Sequence, residues 1–100
     1  MGDQVIEPLT HARLVAAPPE QRARLVEDFL LATIGSLQAD PVKSIEASVR
    51  LGDLAIDSLQ IVELKFELDQ VLGVEADIEL IIDNPTVREL AANSVRSVGL

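Results

Sequence analysis

Asp57 to Gly73 read DSLQIVELKFELDQVLG. At the ~100° per residue of an α-helix, Ile61, Leu64, Leu68, Val71 and Leu72 gather on one side and Leu59, Val62 and Phe66 roughly opposite. Glu63, Lys65, Glu67 and Asp69 occupy the flanks between. Asp57 stands as N-cap, Gln60 takes the return position of a capping-box-like arrangement and Gly73 closes the far end, so the pattern predicts a helix from Ser58 to Leu72. Its two apolar stripes admit two readings. Either the helix is central and buried on both sides, or Leu59, Val62 and Phe66 form a partner-facing patch rimmed by Glu63 and Glu67.

Upstream, Pro18-Pro19 followed by Glu20 marks a helix start, and Val26, Phe29, Leu30, Ile34 and Leu37 form a stripe at helical spacing, predicting a helix over 19–37. Residues 38–57 hold Pro41, Gly52 and scattered apolar residues without a sustained period, and read as a long loop with a short helical turn near Ser44 to Ala47. So long a connection in a small domain is usually functional. Downstream, Ile78, Leu80, Ile81 and Ile82 suggest one short helix, and Thr86-Val87-Arg88-Glu89 gives a T-x-x-E capping box that opens a last helix through Leu90, Ala91 and Val95. No segment combines strand alternation with hairpin turns. The expected architecture is an all-α, small four-helix bundle of three longer helices and one short one, with a long loop between the first two. Residues 1–17 read as a mobile leader or linker, 18–96 as the folded domain and 97–100 as a tail.

Composition narrows the chemistry. One hundred residues make one domain, and folding at that length hides only ~60 to 70% of the unfolded chain's surface, which disfavours a large enclosed active site. The chain contains no cysteine, which removes disulfides, thiolate chemistry and cysteine-ligated metals, and with one histidine a zinc site or a Ser-His dyad has almost no raw material. Phe29 and Phe66 are the only aromatic residues, leaving the core to Leu, Ile, Val and Ala. Residues 1–50 carry 7 acids and 5 Lys or Arg, net -2, and residues 51–100 carry 10 acids and 3 Lys or Arg, net -7. An acidic half repels phosphate backbones, so nucleic acid is a poor partner and a basic protein surface a better one. No run approaches membrane-spanning length and no signal peptide is visible, making a cytoplasmic location the expectation.

Ser58 can be three things. As a nucleophile it lacks a base, because His11 lies 47 positions earlier and no G-x-S-x-G elbow surrounds the serine. As a helix-capping residue it would merely assist Asp57. As an acceptor of a phosphate ester it is well placed, because the unpaired N–H groups and positive dipole end of a helix stabilise an attached anion.

The ordered set Leu51-Gly52-Asp53-Leu54-Ala55-Ile56-Asp57-Ser58-Leu59, Val62-Glu63-Leu64, Leu68, Leu72-Gly73, Asn84-Pro85-Thr86-Val87 and Leu90-Ala91 resembles acyl carrier proteins, most of all the carrier domains of modular type I polyketide synthases. The upstream PPEQRARLVEDFL resembles their first helix, so the likeness covers roughly residues 18–96. The resemblance implies a non-catalytic domain, monomeric in isolation, in which Ser58 is esterified by 4'-phosphopantetheine donated from coenzyme A by a phosphopantetheinyl transferase. It further implies that Asp57 and Leu59 serve transferase recognition. Leu59, Val62, Glu63, Phe66 and Glu67 would serve docking to acyltransferase, ketosynthase and modifying domains of a synthase. Two features depart from related patterns. Ala55 stands where polyketide carriers commonly have Gly, and the Gly-Gly pair and histidine of peptidyl carriers are absent. An unmodified helical interaction module, a peptidyl or fatty-acid carrier and, last, a small hydrolase remain as alternatives.

Overall fold

The computed structural model describes residues 9–37, 45–54 and 56–100. Its helices are α1 (His11–Ala16), α2 (Pro19–Leu37), α3 (Ser58–Leu72), α4 (Glu79–Ile82) and α5 (Val87–Ser97), with one 3-10 turn at Leu51–Asp53. The all-α bundle expected from the sequence is present, with three long helices and no strand among the described residues. It has one short helix more than the four expected.

The extra helix is α1, inside the segment read as a leader. Residues 1–8 lie outside the described residues, but 9–17 are packed onto the bundle. Thr10 caps α1 by accepting from the Arg13 N–H at 3.2 Å, and Leu14 is completely buried in the core. The Arg22 guanidinium of α2 holds the segment from outside. Its Nε donates to the carbonyls of Leu14 and Ala17 at 3.2 and 3.1 Å, and its Nη2 to that of Val15 at 2.9 Å. A six-residue helix cannot stand alone in water, so these tertiary contacts are what keep α1 formed. Residues 97–100, read as a tail, are also tied to the bundle. Ser97 ends α5, the Leu100 N–H donates to Val95 at 2.9 Å, and Arg22 Nη1 reaches the Leu100 backbone oxygen at 3.2 Å.

The long helices follow their sequence signals closely. In α2, Val26, Leu30 and Ile34 recur every fourth residue and are fully buried. In α3 the facing residues Leu64, Leu68, Val71 and Leu72 meet them, and Val87, Leu90, Ala91 and Val95 of α5 complete the core. Gly73 stops α3 with a left-handed φ of 79°, its N–H donating to the Asp69 carbonyl at 2.9 Å. That conformation strains any residue bearing a Cβ.

The described part of the loop before α3 is fastened to the start of α5. Within its described part, 45–54, no helical turn lies at Ala47, and Ser44 lies outside the described residues. A hydrogen-bonded turn closes from Glu46 to Val49 at 3.1 Å, and the helical turn comes later, at Leu51–Asp53. The displacement has a tertiary cause. The Val49 and Ala47 carbonyls accept from the Val87 and Arg88 N–H groups at 3.1 and 2.9 Å, and Leu51 N–H donates to Pro85 at 3.0 Å. Arg50 and Thr86 thus form an antiparallel bridge that sews the loop to the start of α5.

Candidate functional site

Ser58 is the first residue of α3 and is solvent-exposed. The turn that presents it is built by a complete capping box. Asp57 Oδ1 accepts from the Gln60 N–H at 2.8 Å, and Gln60 Oε1 accepts from the Asp57 N–H at 3.1 Å. The Asp57 carbonyl accepts from Ile61 at 3.0 Å, starting the helical ladder. A second bond fixes this turn to the body of the protein, from Gln60 Nε2 to the Leu37 carbonyl at the end of α2, 2.6 Å away. The Ser58 and Leu59 N–H groups belong to the first turn, where no preceding helical carbonyl exists to accept from them. An anion esterified to the Ser58 oxygen would therefore sit at the positive end of a 15-residue helix, with open solvent for a long substituent.

The two stripes of α3 have different fates. Leu64 and Leu68 are fully buried, whereas Leu59, Val62 and Phe66 are 69, 63 and 59% exposed. This rules out burial of the helix on both sides within the domain, because its second stripe faces solvent. Glu63 and Glu67 are exposed beside it and make no ion pair among the described residues. Lys65 instead turns into a partly buried pair with Asp69 at 2.7 Å, and Asp69 also accepts from the Ala76 N–H at 2.8 Å. The solvent face of α3 is thus an apolar stripe with acidic flanks, starting one residue after Ser58.

His11 lies at the other end of the same helix. Its Nδ1 contacts the Val71 carbonyl at 3.1 Å, and because that oxygen can only accept, Nδ1 carries the hydrogen. Val71 lies thirteen positions beyond Ser58 along the helix, ~20 Å at 1.5 Å per residue. The chain's only histidine is therefore not a base for this serine.

Sequence reasoning did not find the outward apolar residues beyond α3. Val74, Ile78 and Ile82 are 53, 41 and 66% exposed, while Ile81 beside them is buried. A four-residue helix is too short for periodicity to separate its faces. Ala55, the departure from the polyketide-carrier pattern, lies outside the described residues.

Residues 28–93 match the family model described as phosphopantetheine attachment site. The chain belongs to this family. Members carry a covalently attached phosphopantetheine group, and the exposed hydroxyl at the start of α3 fits such a group. Over 85 residues the carrier domain is 38% identical to polyketide synthase GfsB of Streptomyces halstedii, an alignment covering 81% of this chain and 2% of that protein. The expected acyl carrier domain of polyketide synthase type is borne out by these two likenesses. The chain spans a small fraction of the length of the curated relative it matches.

Proposed function

We propose that Ser58 is the attachment residue and that the domain carries acyl intermediates for a polyketide synthase. In the loading step the Ser58 oxygen forms a bond to the β-phosphorus of coenzyme A. The bond from that phosphorus to the bridging oxygen breaks, adenosine 3',5'-bisphosphate leaves, and the serine proton passes to a base of the separate transferase. When bound, 4'-phosphopantetheine supplies the terminal thiol on which an acyl chain is held as a thioester, chemistry that a chain without cysteine cannot provide itself.

The chain's own residues present and position. Asp57 and Gln60 hold the serine on a fixed turn, so its oxygen is aimed outward before any partner arrives. Leu59 lies beside it for recognition by the phosphopantetheinyl transferase. Leu59, Val62 and Phe66 offer an apolar centre, and Glu63 and Glu67 an acidic rim, to basic grooves on acyltransferase, ketosynthase and modifying domains. The domain acts without catalysis of its own, as a monomer in the cytoplasm, away from nucleic acid and membrane.

The observation that carries this reading is the coincidence of an exposed serine at a helix start with an outward apolar stripe beginning next to it. Incubation with a fluorescent coenzyme A analogue, magnesium and a broad-specificity transferase tests it: the folded protein becomes fluorescent and the Ser58→Ala variant does not. The exposed stripe also suits an unmodified interaction module. That alternative requires synthase partners to bind the Ser58→Ala protein as tightly as the loaded wild type, and Phe66→Ala to weaken both alike.

A further inference from the structure

Asn84 has a φ of 57°, the left-handed region, and is the one residue other than glycine with positive φ among those described. An L-residue with a side chain stays there only when its surroundings hold it, although asparagine tolerates the region better than most. Here the hold is mutual with Gly52. Asn84 Oδ1 accepts from the Gly52 N–H at 2.6 Å, while the Asn84 carbonyl accepts from Arg50 Nη1 at 3.0 Å. The approach is so close that a Cβ added to Gly52 would lie 2.7 Å from Asn84 Oδ1. Asn84 therefore grips the loop ahead of Ser58 from the junction between α4 and α5.

Leu54 ends the 3-10 turn, and among the described residues the Ile56 N–H to Leu54 bond at 2.8 Å is the only backbone hydrogen bond between that turn and the capping box. The Asn84 grip on Gly52 stands before this bond, and the Asp57 box with its Gln60–Leu37 bond after it. The Leu51–Asp53 turn ends four positions before Asp57, at most ~14 Å along the chain, so it lies within reach of a transferase that reads Asp57 and Leu59.

We infer that Asn84 is a positioning residue for the loading of Ser58, acting through Gly52 to keep the Leu51–Asp53 turn ahead of it in the one conformation that a transferase recognises. This rests on the reading of Ser58 as the attachment site. If the grip is released and the competent conformation falls to about a fifth of the population, apparent affinity falls ~5-fold while turnover of the bound protein is unchanged.

Steady-state phosphopantetheinyl transfer with coenzyme A and a broad-specificity transferase tests the inference, using the full chain. Asn84→Gly keeps the backbone conformation and removes the acceptor; Gly52→Ala pushes the partners apart. Each should raise KM ~5-fold with kcat intact, whereas Asn84→Asp, which retains both an acceptor and tolerance of positive φ, should stay within ~2-fold of wild type. Val95→Ala, a core truncation away from the loop, gives the effect of lost stability alone, and thermal unfolding of every variant shows that each is folded. An unchanged KM in Asn84→Gly, or a rise matched by Val95→Ala, overturns the inference while leaving the Ser58 reading intact. If Asn84→Gly does not fold, Gly52→Ala decides on the same terms. Failure of the wild type to load, or loading of Ser58→Ala, overturns the Ser58 reading and this inference with it.

Discussion

The Gln60 side-chain amide donates to the Leu37 carbonyl at 2.6 Å, joining the first turn of α3 to the last turn of α2 across 23 positions of sequence. The same side chain accepts from the Asp57 N–H, so one residue both closes the cap and anchors it. Ser58 sits between the two halves of that box.

Gln60→Ala removes both bonds and should lower stability by ~1 to 2 kcal/mol, read as a fall in the denaturation midpoint at constant m-value. Gln60→Glu keeps the acceptor for Asp57 but loses the donor to Leu37, and should fall between wild type and Gln60→Ala.

Gly73 and His11 form a second coupled pair. A Cβ on Gly73 would lie 2.6 to 2.9 Å from the ring atoms of His11, at a φ of 79°. Gly73→Ala should therefore cost upward of ~1 kcal/mol from the backbone alone, and more from the displaced ring. Adding His11→Ala removes the clash, so the double variant should be less destabilised than the sum of the singles. Simple additivity in thermal unfolding would mean that α1 does not sit against the end of α3.

The opposite faces of α3 separate stability from binding. Leu64→Ala should cost ~2 to 5 kcal/mol, as a truncation in the packed core. Phe66→Ala, at a position 59% exposed, should cost under ~1 kcal/mol yet weaken binding to synthase partners. Equal losses of stability for the two would place Phe66 in the core.

Ser94 is fully buried in α5, and its hydroxyl has no hydrogen-bond partner among the described residues. Ser94→Ala removes an unsatisfied polar atom and improves helix propensity. It should raise stability by ~1 kcal/mol, seen as a higher thermal midpoint.

What the sequence discloses about this protein is mostly local chemistry. Asp57, Gln60, Gly73, Thr86 and Glu89 act on backbone groups three or four residues away, so their spacing alone locates the ends of α3 and the start of α5. Leu14 is different: one buried leucine in a six-residue helix leaves no period to detect, and its partners come from α2 and α3. The pairing of 47–51 with 85–88 is likewise invisible, because backbone bonds between distant segments place no demand on residue type. Only Gly52 and Asn84 hint at it, through a close approach and a left-handed turn. Of the candidate site, the serine and its cap are legible, and so are both stripes of α3. Which stripe faces water depends on how many neighbours the helix has, and that is settled by packing.

The most direct measurement is intact-protein and peptide mass spectrometry after incubation with coenzyme A, magnesium and a broad-specificity phosphopantetheinyl transferase. The account predicts a gain of one phosphopantetheinyl group, located on the peptide containing Ser58 and absent from Ser58→Ala. A well-folded protein that gains no mass, or a gain that persists in Ser58→Ala, would contradict it.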